Sequence, residues 1–162
     1  MKVEQIYTKC LSQGSYYIES NNEVAIIDPI REIDTYIEKA KISGASIKYI
    51  FETHIHADFI SGHLNLAKKT GAKIIYGPKA ETSFETINAK DYEEFKLGEV
   101  NIIAMHTPGH TIESTTYLLR DSSGKDQAIF TGDTLFLGDV GRPDLSQKSS
   151  LSNKDLASML FD

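Results

Sequence analysis

The stretch Thr53-His54-Ile55-His56-Ala57-Asp58 constrains this chain more than any other. Two imidazoles and a carboxylate stand at alternating positions. An extended chain puts residues i and i+2 on the same face, so His54 and His56 can point the same way. The residues before it, Ile47 to Phe51, are apolar and rich in β-branched side chains, and read as a buried strand. After it, Ile60, Leu64 and Ala67 show helical spacing, with an opening at Ser61 and a stop at Gly71. The histidine segment is therefore a strand-to-helix turn at the carboxyl end of a strand, where α/β sheets usually place their sites.

All five histidines fall between residues 54 and 110. Two further candidate ligands show the same pattern. His110 closes Thr107-Pro108-Gly109-His110 after the apolar run Val100 to Met105. Asp133 closes Thr131-Gly132-Asp133 after Gln127 to Phe130. Three strand ends, each punctuated by glycine or proline, each deliver His or Asp. Side chains so distant in sequence must converge to hold a metal, and a sheet can bring them together.

The remaining chain reads as strands with interspersed helices. Val3 to Tyr7 and Ser15 to Glu19 are expected strands with a turn at Gln13-Gly14. A second turn at Asn21-Asn22 leads to Glu23 to Asp28, completing a hairpin pattern. Ile33, Ile37 and Ala40 predict a helix stopped by Gly44. Lys73 to Tyr76, Phe95 to Leu97, Val100 to Met105, Thr115 to Arg120 and Gln127 to Phe130 are further expected strands. Residues 79 to 93 carry no clear pattern. Asn153 is the expected N-cap of a last helix bearing Leu156, Met159 and Leu160. This order fits an α/β sandwich.

At 162 residues the chain fits one domain with a sizeable core. Its net charge of −6 speaks against nucleic acid or anionic lipid as partner. One cysteine, Cys10, allows no internal disulfide and fits a reducing compartment. No apolar signal core or membrane span is visible, so the expected location is cytoplasmic.

Taken together, Glu52 to His63, His106 to Thr115 and Thr131 to Phe136 resemble the metallo-β-lactamase superfamily. They are most similar to its persulfide dioxygenase branch, in particular bacterial members often fused to a rhodanese domain. The resemblance implies an αββα sandwich, two sheets face to face with helices outside. It covers roughly the first two thirds of such a catalytic domain, so the C-terminal part of the sandwich is expected to be incomplete. No rhodanese cysteine loop is present.

The resemblance further implies that His54, His110 and Asp133 hold one Fe(II), since two histidines and one carboxylate around an open face suit non-haem iron oxygenases. His56 is a ligand in zinc members and is expected at the metal here, as a ligand or as a hydrogen-bonding neighbour. Asp58 is expected to orient a ligand or hold water. Arg142, in Gly141-Arg142-Pro143-Asp144, is expected to hold its loop or a carboxylate of the thiol. The implied reaction uses O2 to oxidise a thiol persulfide, such as glutathione persulfide, to sulfite and thiol. Position 59 bears on this. Two-metal hydrolases of the superfamily carry histidine there, and Phe59 cannot coordinate. The alternative is a Zn(II) hydrolase of the glyoxalase II type acting on S-acyl glutathione. A third reading is an inactive fragment that keeps the fold, pairing its exposed edges with a second copy as a homodimer.

Plainer readings stand beside these. Asp58 could cap the next helix. Asp28 before Pro29 reads as a turn former, and Cys10 as a half-buried small apolar residue. His63 reads as a supporting residue, and His106 as a strand-end hydrogen-bond donor. Arg142 could simply pair with Asp144 or Asp139. Thr111 and Ser114 are expected to satisfy local backbone groups.

Overall fold

Alternation along four strands sets the layering. The structure, a computed structural model, describes residues 1–144 and 151–161. Strand β2 (Gln13–Ser20) sends Ile18 to one side and Tyr17 to the other. In β3 (Glu23–Ile27), Ala25 and Ile27 join Ile18, while Val24 and Ile26 join Tyr17. Phe51 and Ile50 divide in the same way in β4 (Ser46–Phe51), as do Ile75 and Ile74 in β5 (Lys73–Tyr76). Strands buried on both faces must lie between two layers.

One of those faces meets α1 (Asp34–Ser43) and α2 (His63–Thr70) through Tyr36, Ala40 and Leu66. The other meets a second sheet through Phe95, Ile102, Tyr117 and Leu119. Between the sheets the rings of Phe51, Phe95 and Tyr117 make edge-on and tilted contacts at 5.4 and 4.7 Å, the offset geometry that aromatic quadrupoles prefer.

The larger sheet also contains β1 (Lys2–Thr8) and β6 (Ile87–Asn88), in the order β1-β2-β3-β4-β5-β6. Pairing is antiparallel from β1 to β3 and parallel from β3 to β6. The smaller sheet holds β7 (Glu94–Leu97), β8 (Val100–His106), β9 (Thr115–Arg120) and β10 (Asp126–Phe130), all antiparallel. A short ribbon of β11 (Leu135–Phe136) and β12 (Asp139–Val140) comes next. Helix α3 (Asn153–Phe161) buries Leu156 and sets Leu160 against Gly109. The expected face-to-face sandwich is thus the arrangement found.

Several local expectations differ from the structure. The first reversal is not at Gln13-Gly14, which lies inside β2. It is a 3-10 turn, Lys9–Leu11, closed by Ser12 at φ 51°. Gly14 instead pairs with Tyr7 of β1, and a Cβ there would meet only the movable end of the Gln5 side chain. Cys10, on that turn, is exposed, not half-buried. Ser152, not Asn153, caps α3. Its Oγ accepts from the Asp155 N–H at 3.2 Å, and its own N–H donates to Asp155 Oδ2 at 2.9 Å, a reciprocal cap.

Candidate metal centre

The ends of β4, β8 and β10 open at one edge of the sandwich. Two bonds tie the sheets together there: Thr115 N–H donates to the Thr53 carbonyl at 2.8 Å, and the Tyr117 hydroxyl donates to the Glu52 carbonyl at 3.0 Å. Gly132, at φ +49°, packs directly on the Thr53 side chain, where a Cβ would overlap the hydroxyl. That contact brings Asp133, in the 3-10 turn Gly132–Thr134, beneath the histidine segment.

His54, His110 and Asp133 meet here, with one donor atom from each lying within 4.8 Å of the others. The rings of His54 and His110 stand nearly perpendicular, 4.9 Å apart, and His110 Nε2 is 3.7 Å from Asp133 Oδ2. Both imidazoles are buried.

Hydrogen bonding decides which nitrogen of each ring the protein does not hold. The Thr53 hydroxyl donates its one proton to Asp28 Oδ2 at 2.8 Å. It can therefore only accept from His54, so His54 Nδ1 carries the proton in their 3.0 Å bond and Nε2 is bare. His110 Nδ1 donates to the Arg142 carbonyl at 3.0 Å, which likewise leaves Nε2 bare. His56 Nε2 donates to Asp28 Oδ1 at 3.0 Å and lies 3.3 Å from Glu52 Oε2, leaving Nδ1. Each ring has one nitrogen held by the protein, as metal-ligating histidines characteristically do.

The charge states reflect burial and neighbours. Burial, reinforced by His56 nearby, pushes His54 down to about 3, so it stays neutral and able to ligate at neutral pH. Burial works against charge on His56 too, but Asp28 and Glu52 outweigh it and hold that ring's pKa well above the usual histidine value. Burial raises Asp133, partly offset by His110.

Asp28 is a residue that sequence reasoning under-read. It does form a turn, at φ +48°, but its buried carboxylate also accepts from Thr53 N–H, the Thr53 hydroxyl and His56. One carboxylate therefore sets the orientation of both His54 and His56. Parallel pairing makes the link: β3 and β4 are neighbours, and their ends pair Ile27 with Phe51. Residues just past the end of β3 therefore lie beside residues just past the end of β4. Glu52 and Thr53 were missed for the same reason.

The other candidates have different placements. Asp58 is largely exposed, its Oδ1 4.0 Å from His56 Nδ1. It does not cap α2, whose N-cap is Gly62 with no side-chain bond. The Arg142 guanidinium makes a two-point pair with Asp144 at 3.0 and 2.7 Å and lies outside the cavity lining. Its carbonyl, not its charge, reaches the centre. His63 supports the site through Glu52 at 3.1 Å. His106 Nε2 donates to the Ile112 carbonyl, and Ser114 bonds the backbone and hydroxyl of Thr111.

A cavity of about 450 Å³ adjoins the centre, and its lining includes the polar His56, Asp58 and Asp133 and the aromatic Tyr16, Phe59 and Phe136. The Phe59 ring packs on His56 at 4.3 Å.

Residues 9–160 match the sequence model of the metallo-beta-lactamase superfamily. The chain belongs to this superfamily. It is similar to the probable hydroxyacylglutathione hydrolase glo2 of Schizosaccharomyces pombe, at 39% identity over 73% of this chain and 46% of that protein. It is also similar to a hydroxyacylglutathione hydrolase of Brucella anthropi, at 42% identity over 63% of this chain and 38% of that one. Among solved structures, a metallo-beta-lactamase from Staphylococcus aureus superposes with a TM-score of 0.88 at 36% identity, covering 99% of this chain and 50% of that one. ETHE1 from Myxococcus xanthus superposes at 0.83 and 28% identity, covering all of this chain and 67% of that one. The chain spans about half the length of the curated relatives it matches. This is a metalloenzyme superfamily, and its fold is the one described above.

Proposed function

We propose that His54, His110 and Asp133 hold a single Fe(II) and that the chain works as a persulfide dioxygenase. One observation carries this reading. The converging donors are two imidazoles and one carboxylate, and the resemblance adds that Phe59 takes the place of the histidine carried by two-metal hydrolases, as in the rhodanese-fused branch. The residues fit a metal because two bare imidazole nitrogens and a carboxylate oxygen converge, with the opposite nitrogen of each ring already committed.

Bound iron would supply activation of O2 beside the substrate sulfur. In balance, one persulfide anion, one O2 and one water give one thiol and one hydrogensulfite. The protein's part is orientation and protection. Tyr16, Phe59 and Phe136 give the cavity an apolar wall that limits water at the sulfur. Asp58, at the cavity and beside His56, is placed to accept a proton from entering water. The cytoplasm is the proposed location: among the described residues no helix is long and apolar enough to cross a membrane, and one relative is named as cytoplasmic.

The relatives' names favour a second reading, hydrolysis of S-acyl glutathione by a zinc centre. In that case His56 Nδ1 serves as a further ligand. Metal content separates the two. Protein purified without oxygen from cells given both metals is expected to hold near one iron per chain and to consume O2 with glutathione persulfide. Near two zinc per chain, with turnover of S-lactoylglutathione, would replace this reading with the hydrolase.

A further inference from the structure

Glu52 is fully buried and carries more hydrogen bonding than a strand-end residue needs. Its Oε1 accepts from the Ser61 hydroxyl at 2.5 Å and from His63 Nδ1–H at 3.1 Å. Its Oε2 has no hydrogen-bond partner of full geometry and lies 3.3 Å from His56 Nε2. We infer that Glu52 is a positioning residue for the metal centre, completing with Asp28 a two-carboxylate clamp that leaves His56 Nδ1 as the ring nitrogen available to the metal.

The constraint on the ring is geometric. A ring that donates one N–H to a single acceptor can pivot about that bond. Two acceptors near the same N–H, Asp28 Oδ1 at 3.0 Å and Glu52 Oε2 at 3.3 Å, define the ring plane as well. The rings of His54 at 4.1 Å and Phe59 at 4.3 Å crowd the imidazole further. Asp28 cannot do this alone, because it is also committed to the Thr53 N–H and hydroxyl. Glu52 is itself immobile. Ser61 and His63 hold it from the start of α2, and His63 is stacked on Phe84 at 5.0 Å. The position of His56 is thereby tied to the first turn of a helix on the outer face of the sheet.

A carboxylate is required by count. The Oε1 side faces two donors and the Oε2 side faces a third, and a carboxylate is the acceptor-only group that serves all of them. In Glu52→Gln, Ser61 and His63 keep the amide oxygen on their side. The amide N–H2 is then forced against the His56 N–H, so the ring must turn or swap its proton.

This role for Glu52 rests on the metal centre proposed above with His56 Nδ1 taking part in it as a further ligand, and not on the reaction assigned to that centre. The test is titration of the full chain with cobalt(II), followed by visible absorption, in wild type, Glu52→Gln, Glu52→Asp and His63→Ala. Glu52→Gln is expected to weaken cobalt binding about tenfold and to change the band shape. Glu52→Asp, which keeps the charge but loses the reach, is expected to weaken it too, and serves if the glutamine variant does not fold. His63→Ala removes one of the two groups that hold Glu52 Oε1 and leaves Ser61, so it is expected to melt earlier and to lose less cobalt affinity than either Glu52 variant. Wild-type affinity in both Glu52 variants overturns the inference. So does an equal loss in His63→Ala, which would show that the carboxylate acts only by holding the helix. A wild-type chain that takes up no cobalt overturns the metal centre itself, and this inference with it.

Discussion

The two sheets contribute unequally to the centre. The larger sheet supplies His54 and His56, whose outer nitrogens are tied into a buried set of Thr53, Asp28 and Glu52. The smaller sheet supplies His110 and Asp133. His110 leans on one backbone carbonyl, and the Asp133 side chain is 43% exposed. The difference teaches that one half of the proposed centre is held by several buried polar groups, while the other, with one carbonyl on His110 and a part-exposed Asp133, is the more adjustable. Buried polar networks rigidify where their members are satisfied. Asp28 and Thr53 are so satisfied here, while Glu52 Oε2 lacks a bond of full geometry, at the place where the parallel strands β3 and β4 end side by side.

Removing a donor from the adjustable half gives the largest expected effect. His110→Ala and Asp133→Ala should each abolish stoichiometric metal retention after dialysis, as read by elemental analysis, with folding intact by circular dichroism. Full retention by either variant would remove that half from the centre and leave the comparison without a second term.

Asp28→Asn attacks the preorganised half without touching a proposed ligand. An amide there must turn an N–H toward Thr53 or His56, both of which need an acceptor. The expected cost is about 10- to 100-fold in metal affinity, together with a lower melting temperature. If the affinity is unchanged, the buried network stabilises the fold but does not organise the site.

The pH dependence of the metal-free protein sharpens the contrast within the larger sheet's own pair. His54 is depressed from 6.5 to about 3, so between those values the unfolded chain binds the extra proton and stability falls as pH drops. His56 is raised well above 6.5, so its contribution is complete below 6.5 and is lost as pH climbs through its folded value. Thermal melts across pH are expected to peak near 6.5 and to decline on both sides. His54→Gln should flatten the acid limb alone. A melting temperature that rises steadily into alkali would contradict the clamp on His56.

The smallest effect is expected at Arg142. Its guanidinium forms an exposed pair with Asp144, and such pairs contribute little. Arg142→Ala keeps the carbonyl that holds His110, so metal affinity and turnover should stay close to wild type. A large loss of substrate affinity, measured as a raised KM, would show that the side chain swings into the cavity when substrate binds.

Much of this was legible in the residues. Apolar runs followed by histidine or proline marked β4 and β8, and Gly132 marked the turn after β10, a mostly exposed edge strand. Gly44 and Gly71 marked two helix ends, and both are left-handed caps at φ 70° and 76°. Other features were not legible because they depend on contacts across the fold. Gly14 looked like a turn but lies inside β2, paired with Tyr7 of β1. Residues 79–93 have no pattern because β6 is only a two-residue strand paired with β5.

The sequence by itself named the candidate donors and their spacing: His54, His56, His110 and Asp133 stand at strand-end motifs, and Phe59 offers no donor atom. Only the tertiary structure decided how those donors are held. Asp28 is 26 residues from His54 along the chain, yet its carboxylate reaches Thr53 and His56 because parallel pairing brings the ends of β3 and β4 together. The placement of Arg142 was decided the same way. Its side chain turned outward to Asp144 while its carbonyl turned inward to His110, a choice made by the path of the backbone and not by the residue's chemistry.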